Sequence, residues 1–431
     1  MLKIIADSLS LPKVITAGGQ SHLRKTGKSM NSAVTDMKPR GRTLSAGHSA
    51  EYFGALDGFR GLLALLVAIY HTPWGSQLNA TAFLNQGAVI IDLFFVFSGF
   101  LMFTLYGRRM TTQAQAKSFL WRRFARLYPV HFVMTIVFLV FALARLMAHK
   151  IGIAAQDVGE ILPFEAGSPE TLYSLITNLS LTQAMGLHDS LTFNPPAWTI
   201  SVEFFAYFTF AAMLLWLPPK RVWHFALIST GIVTIYAFLA SVKPDMNITY
   251  DYAFWRCLGG FYTGVVGAEI YRHLKPKFKT QTDNLASGAK VHLLEVLVLG
   301  AFVAFVIYMP NKLQFFVAPF CLLFVVVFAF DKGVISRVMM ARPFVFLARI
   351  SYSVYMVHVI LAISADIFAT KVLSRYFGER WHDVGFNGDL YLVPYLIAVI
   401  IAGYMLQRYV EAPAAKWLGG IEKARRHKVI N

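Results

Sequence analysis

Arg60 and His71 are the first pair of residues in this chain whose types and spacing could do chemistry. They are 11 residues apart in one apolar stretch, so on a helix they share a face, about 16 Å apart along the axis. An imidazole suits proton transfer near neutral pH, and a guanidinium group binds anions. The alternative interpretation is that Arg60 only anchors a helix at the membrane surface and that His71 only caps the end of that helix.

Two carboxylates lie inside other apolar stretches, where a charge is costly. Asp92 interrupts the stretch 87–102. Trp198 is of a residue type that is frequent at the membrane interface, and Glu203 lies about one and a half helical turns further into the segment. A buried carboxylate requires a partner or a proton, and an ionisable residue within a membrane segment is a functional candidate by default. We therefore treat Asp92 and Glu203 as candidate catalytic groups, with a structural ion pair as the alternative for Glu203.

A cluster of arginines opens the third apolar stretch. The sequence W-R-R-F-A-R-L-Y-P contains Arg122, Arg123 and Arg126, whose spacings of three and four residues allow them to converge on one ligand. Guanidinium groups bind phosphate in a bidentate manner, so the cluster predicts a phosphate-bearing ligand. The alternative is that these charges only fix the orientation of the helix in the membrane.

A polar stripe follows one face of the ninth apolar segment. Ser351, Tyr355 and His358 occupy positions i, i+4 and i+7, and such a stripe faces protein or water rather than lipid. Substrate contact and hydrogen bonding between helices explain it equally well. Glu411, at the end of the last segment, is expected to pair with an arginine.

Ten apolar segments must position these residues. The chain has 431 residues, of which 56% are apolar, and a mean hydropathy of +0.53, which excludes an ordinary soluble domain and indicates an all-α polytopic membrane protein. Each segment has close to the roughly 20 residues that a spanning helix needs. The predicted spans are 58–75, 87–106, 124–147, 197–217, 222–241, 254–271, 291–309, 313–330, 344–366 and 389–407.

The distribution of positive charge predicts the orientation of these helices. With the amino terminus inside, 31 of the 40 Lys and Arg residues fall in cytoplasmic segments and 6 fall in outside loops, as the positive-inside rule requires. Both termini are therefore expected in the cytoplasm. The same rule explains the net charge of +17 without nucleic acid as a partner. The candidate arginines then lie towards the cytoplasm, and the candidate histidines and carboxylates lie towards the outside.

The chain divides into three parts. Residues 1–50 are predicted to be a basic, disordered cytoplasmic tail, residues 51–415 the transmembrane domain, and residues 416–431 a short basic cytoplasmic tail. In the long outside loop, the part 171–187 is a candidate re-entrant or interfacial helix. The cysteine content, two residues in all, implies neither a disulfide framework nor a metal site.

Six motifs follow one another between about residues 51 and 415. They are L-D-G-F-R-G…H, D-L-F-F-V-F-S-G-F, R-R-F-A-R-L-Y-P, W-T-I-S-V-E-F-F-A-Y, S-Y-S-V-Y-M-V-H and E-A-P. Together they resemble the motifs of the acyltransferase-3 family of integral membrane acyltransferases, whose members typically have ten spans. Matched residue by residue, the family's first-span arginine and histidine fall on Arg60 and His71. Its basic motif and its W-x-x-x-x-E motif fall on Arg122, Arg123, Arg126, Trp198 and Glu203.

This resemblance implies transfer of an acyl group, usually acetyl, from cytoplasmic acyl-CoA to a hydroxyl of an envelope or exported glycan. Exopolysaccharide, lipopolysaccharide and a lipid-linked sugar all stay open as acceptors. No tightly bound cofactor or metal is expected, since acyl-CoA is a donor substrate. The implied location is a bacterial inner membrane, with the bilayer, acyl-CoA and the glycan as partners.

The resemblance and the residue types together predict a mechanism. Arg60 and the basic cluster bind the phosphates of acyl-CoA, His71 is the general base, and Glu203 or Asp92 orients its imidazole. Whether the acyl group passes through a covalent intermediate stays open.

Two other classes of function remain. A transporter or flippase for a lipid-linked glycan is compatible with ten spans and intramembrane charges, but it predicts glycan movement without CoA and usually an internal repeat, which the sequence does not show. A non-catalytic partner in a polysaccharide-synthesis complex would tolerate the loss of His71 and Glu203 together.

Overall fold

The structure is a computed structural model that describes residues 51–152, 161–281, 285–309, 311–378, 381–383 and 385–430. The predicted tail 1–50 lies outside this range. All regular elements in the described ranges are helices, which confirms the all-α polytopic fold. In chain order they are α1 (Gly54–Tyr70), α2 (Ala82–Asn85), α3 (Ile90–Tyr106), α4 (Gln113–Lys150), α5 (Leu172–Leu179), α6 (Trp198–Trp216), α7 (Val222–Val242), α8 (Ala253–Gln281), α9 (Leu285–Tyr308), α10 (Val317–Phe328), α11 (Val334–Met339), α12 (Arg342–Phe368), α13 (Ser374–Phe377), α14 (Gly385–Leu406) and α15 (Ala412–Ile430).

Each of the ten predicted segments overlaps one helical stretch, although the predicted span 58–75 extends five residues beyond the end of α1 at Tyr70. Eight helical stretches of the described chain are long and apolar enough to cross a membrane. The two remaining predicted segments correspond to α1, which has 17 residues, and to α8, which contains Arg256 and Glu269 within its apolar part. The eight stretches are Gly87–Tyr106, Gln113–Lys150, Pro195–Trp216, Val222–Val242, Gly288–Tyr308, Asn311–Phe328, Arg342–Phe377 and Gly385–Glu422.

The centre of the fold is built on the closest helix pairs, α3 with α8 and α1 with α12. Where α3 crosses α8, a Cβ atom at Gly99 would collide with the Phe261 carbonyl oxygen, and one at Gly264 would come within 2.6 Å of the Phe100 nitrogen. Small residues at such a crossing let two backbones touch, which is a frequent packing mode of membrane helices. This contact brings the Asp92 end of α3 beside Arg256 of α8.

The amino terminus of α1 is held by a distant side chain. The Asp331 carboxylate accepts hydrogen bonds from the backbone N–H groups of Gly54 and Ala55, both at 2.8 Å. These are two of the donors that a helix start leaves without an intrahelical partner. The cap fixes the position of the helix that contains Arg60 and ends just before His71.

A helix also lies within the predicted stretch 171–187. Helix α5 buries Ser174, Thr177 and Asn178 and exposes Leu172 and Ile176. This pattern is the reverse of a soluble amphipathic helix, and it is typical of a helix whose outer face meets an apolar environment.

The end of the chain packs against the start of α4. Helix α15 runs through most of the predicted tail 416–431, and the Trp121 indole N–H donates to the Leu418 carbonyl at 3.0 Å. At the preceding turn Glu411 accepts a hydrogen bond from the Ser353 hydroxyl at 2.9 Å. The charge of Arg126 also acts on this carboxylate, so an arginine is near Glu411 as predicted, while its direct hydrogen-bond partner is a serine.

Candidate active site

Two cavities lie between the central helices. The larger, with a volume of about 130 Å³, is lined by Arg60, Arg123, Arg126, Glu203, Ser351 and Tyr355, among others. We call it the arginine cavity. The smaller, about 40 Å³, is lined by His71, Trp198, Arg256, Asn247, Thr249 and Tyr355, among others. We call it the histidine cavity. Among the described residues, Ile91 and Tyr355 line both, so the two cavities meet at these side chains.

His71 follows the last residue of α1 and is exposed. Its Nδ1 lies 2.9 Å from the Val67 carbonyl oxygen and 3.3 Å from Nε2 of His358, whose own Nδ1 lies 2.6 Å from the Tyr355 carbonyl oxygen. One proton arrangement fits all three contacts, with a hydrogen on Nδ1 of each imidazole and the His71 hydrogen shared between the Val67 carbonyl oxygen and Nε2 of His358. That arrangement leaves the lone pair of His71 on Nε2, where a general base needs it.

Neither candidate carboxylate is the partner of His71. The carboxylate of Asp92 is bound by Arg256, and that of Glu203 accepts a hydrogen bond from Tyr207 at 2.7 Å. The position next to the His71 ring is occupied by His358. The expectation that Glu203 or Asp92 orients this imidazole is therefore corrected, because helix packing pairs each carboxylate with a different neighbour.

Asp92 and Arg256 form a fully buried ion pair. Two nitrogens of Arg256 donate to the two Asp92 carboxylate oxygens, at 2.7 and 3.3 Å, and both side chains have no exposed surface. The guanidinium group also donates to the carbonyl oxygens of Ala88 and Ile248 and lies 5.5 Å from the Trp198 ring. A buried charge is tolerated when it is paired and hydrogen-bonded in this way. The geometry therefore favours a structural role for Asp92, which the sequence analysis did not consider.

Glu203 belongs to a short hydrogen-bonded chain at the arginine cavity. Tyr207 donates its only hydroxyl hydrogen to Glu203, so the Ser98 hydroxyl, 3.0 Å away, is the donor to the Tyr207 oxygen. All three residues line the arginine cavity. Glu203 thus contributes a negative charge to the same cavity as the arginines.

The predicted arginine cluster divides into two parts. Arg122 pairs with Glu422 at 3.3 Å and contacts Ser118, and it is not among the cavity-lining residues. Arg123 and Arg126 both line the arginine cavity together with Arg60. Among the described residues neither forms a salt bridge, although the charge of Arg126 acts on the Glu411 carboxylate, and the buried Nε of Arg123 has no hydrogen-bond acceptor. An unsatisfied cationic donor of this kind favours an anionic ligand.

Arg60 reaches the same cavity from α1. It pairs with Asp57 at 3.0 Å and donates to the Ser351 hydroxyl at 3.4 Å. The polar stripe of α12 therefore touches both cavities: Ser351 lines the arginine cavity, Tyr355 lines both, and His358 contacts His71.

Three functional neighbours were missed by the sequence analysis. Arg256 was left without a role, although it lies at the start of a span that begins on the same predicted side as Asp92. Tyr207 follows Glu203 by four residues, which places the two on one helix face. Ser98 had no comparable signal, because hydroxyl groups within apolar helices often bond only to their own backbone.

Comparison with known proteins assigns this architecture to a family. The family model described as an acyltransferase domain matches residues 53–408. The chain belongs to the acyltransferase-3 family. The ten predicted segments, 58–407, lie within the matched range. No solved structure matches the chain.

Curated relatives of the chain include named acyltransferases. Acyltransferase MdmB of Streptomyces mycarofaciens is 27% identical over 205 residues, which are 44% of this chain and 47% of that protein. Protein 2 in the picA locus of Rhizobium radiobacter is 29% identical over 36% of this chain and 78% of its own length. Peptidoglycan O-acetyltransferase OatA of Listeria monocytogenes is 31% identical over 22% of this chain and 14% of its own length. The match thus spans about half of MdmB and a small part of OatA.

Proposed function

We propose that this protein is a membrane O-acyltransferase that moves an acyl group, acetyl in the first instance, from acyl-CoA to a hydroxyl of a cell-envelope or exported polysaccharide. One observation supports the proposal above the others: a cavity lined by three arginines meets a cavity lined by an exposed histidine. A phosphate-bearing donor and a group that needs a base would therefore approach one point from two sides. Family membership and the acyltransferase names of the relatives support the same class of reaction.

The arginine cavity is the proposed donor site. CoA has phosphates at one end and a flexible pantetheine arm at the other. Arg60, Arg123 and Arg126 would bind the phosphates, and the arm would place the thioester near Tyr355, which lines both cavities. The charge distribution of the chain predicts that the arginine side faces the cytoplasm, where acyl-CoA is made.

The histidine cavity is the proposed acceptor site. With its hydrogen on Nδ1, His71 would take the proton of the acceptor hydroxyl on Nε2 as that oxygen attacks the thioester carbon. His358 and the Val67 carbonyl would hold the ring in this tautomer. The predicted orientation places His71 on the outer side of the inner membrane, where an exported glycan is accessible.

A transfer assay in membrane vesicles tests this function. Inverted vesicles from a strain producing the protein, and from the same strain with an empty vector, are supplied with acetyl-CoA labelled with carbon-14 in the acetyl group. The expected result is label in the polysaccharide fraction that mild alkali releases, because O-acetyl esters are alkali-labile and N-acetyl groups are not. If label never exceeds that of the empty-vector vesicles, the acyltransferase proposal is wrong. Glycan export that depends on the protein without any acylation would then favour a transporter.

A further inference from the structure

Tyr355 occupies the junction of the two cavities. It is buried, it lines both cavities, and its backbone carbonyl accepts the hydrogen bond that fixes His358. The other residue common to both cavities, Ile91, has no polar group. In the described part of the chain, Tyr355 is therefore the polar side chain that both substrates would meet.

The Tyr355 hydroxyl has a defined donor and an uncommitted hydrogen. The Thr199 hydroxyl hydrogen is shared between the Tyr355 oxygen at 3.1 Å and the Pro196 carbonyl oxygen at 3.2 Å, and no other hydrogen-bond partner of the Tyr355 oxygen is found among the described residues. A phenol that accepts from a neighbour directs its own hydrogen away from it. Thr199 also lines the arginine cavity, so the hydroxyl groups of Thr199 and Tyr355 both lie at the proposed donor site.

Acyl transfer needs such a donor. When an oxygen attacks a thioester carbon, negative charge develops on the carbonyl oxygen, and a preorganised hydrogen-bond donor at that place stabilises the transition state. Arg256, a cationic donor that lines the histidine cavity, has its nitrogens engaged by Asp92 and by the carbonyl oxygens of Ala88 and Ile248. A donor that is already engaged is less available to a developing charge.

We infer that Tyr355 is the oxyanion-stabilising catalytic residue, oriented by Thr199, for transfer of an acyl group at the junction of the arginine and histidine cavities. This inference rests on the proposed function. In the step, the acceptor oxygen forms a bond to the thioester carbon while its proton passes to Nε2 of His71. The carbonyl electron pair moves onto oxygen, which accepts the Tyr355 hydrogen bond. The pair then returns, the carbon–sulfur bond breaks, and the CoA thiolate takes the proton back from His71.

Tyr355→Phe is the direct test, because it removes the hydroxyl and keeps the ring. In the vesicle assay with labelled acetyl-CoA, we expect the maximal rate to fall by about 100-fold to 1,000-fold, the usual effect of losing one oxyanion donor. The KM for acetyl-CoA, and the Kd of CoA measured on purified protein, should stay within about twofold, since this hydrogen bond forms only in the transition state. Tyr391→Phe is the matched control: Tyr391 is also a buried tyrosine, bonded to the Ala365 carbonyl, and it lines neither cavity.

Thr199→Val gives an independent second test, because it preserves side-chain shape and the Tyr355 hydroxyl but removes the orienting donor. The maximal rate of this variant should fall about tenfold, the usual effect of losing one hydrogen bond. If Tyr355→Phe does not accumulate in the membrane, Thr199→Val alone tests the inference. A wild-type rate in Tyr355→Phe would overturn the inference. If only Thr199→Val accumulates in the membrane, a wild-type rate in that variant would overturn it. A loss of CoA affinity as large as the loss of rate would also overturn it, since Tyr355 would then bind the donor equally in both states. Failure of the wild-type vesicles to transfer any label would instead refute the proposed function.

Discussion

Nε2 of His358 lies 3.3 Å from Nδ1 of His71, in the position that a carboxylate occupies beside the histidine of a Ser-His-Asp triad. A neutral imidazole at this position accepts the Nδ1 hydrogen and fixes the tautomer without adding a negative charge. His71 therefore stays neutral before the reaction, as a base must, and it can return its proton to a leaving thiolate readily. The pair joins α1 to α12 at the end of the polar stripe.

His358→Phe should lower the maximal rate of acyl transfer by roughly threefold to tenfold, the value of one neutral hydrogen bond. His358→Gln should restore part of the rate, since its side-chain oxygen can accept from the same Nδ1. The rates are compared in membrane vesicles, and the Kd of CoA serves as the control because His358 does not line the arginine cavity. If the Gln variant is no better than the Phe variant, His358 does not act through this hydrogen bond.

The division of the arginine cluster predicts unequal effects on donor binding. Arg126→Gln should weaken CoA binding about tenfold or more, because it removes a charge-assisted contact to phosphate. Arg122→Gln is the matched control: it is the same change four residues away, and Arg122 is instead paired with Glu422. Equilibrium binding of CoA to the purified protein distinguishes them. Equal Kd values for Arg126→Gln and the wild type would mean that these arginines only fix the orientation of the helix in the membrane.

The Asp92–Arg256 pair should contribute to stability as a unit. Asp92→Leu and Arg256→Met should each destabilise the protein by about 3–5 kcal/mol, because each leaves one buried charge without its partner. The double variant should be closer to the wild type than either single variant. Thermal unfolding of the detergent-solubilised proteins gives the comparison. Asp251→Asn is the control: it breaks the partly exposed pair with Lys243, and such pairs contribute about 0–1 kcal/mol. Additive effects of the two core substitutions would mean that the pair is not coupled.

The positions of the helices were predictable because hydrophobic length is a local property. Each predicted segment overlaps a helix, and the buried glycines at the α3–α8 crossing only refine how those helices approach. The shared helix face of Arg60 and His71 also followed from helical periodicity alone, whereas the contact of that face with α12 is seen only in the structure.

The partners of the polar residues were not predictable, because they depend on which helices pack together. Asp92 and Arg256 are 164 positions apart, and nothing local in either segment specifies the other. Arg122 and Arg126 share one helix face, yet Arg122 forms an ion pair with Glu422 of the last helix and does not line the cavity. His358 was recognised as part of a stripe, but only the packing of α12 on α1 places it beside His71.

The role of His71 as the general base is the central claim of the account, and the O-acetyl content of the cell's glycans tests it most directly. A deletion strain is complemented with the wild type, with His71→Ala, or with His273→Ala, which changes an exposed histidine that pairs with Glu269. Surface and secreted glycans are compared by NMR at equal membrane levels of the three proteins. We predict that the wild type and His273→Ala restore the O-acetyl signal and that His71→Ala lowers it by at least about 100-fold, as loss of a general base would. An O-acetyl signal of normal size with His71→Ala would contradict the account.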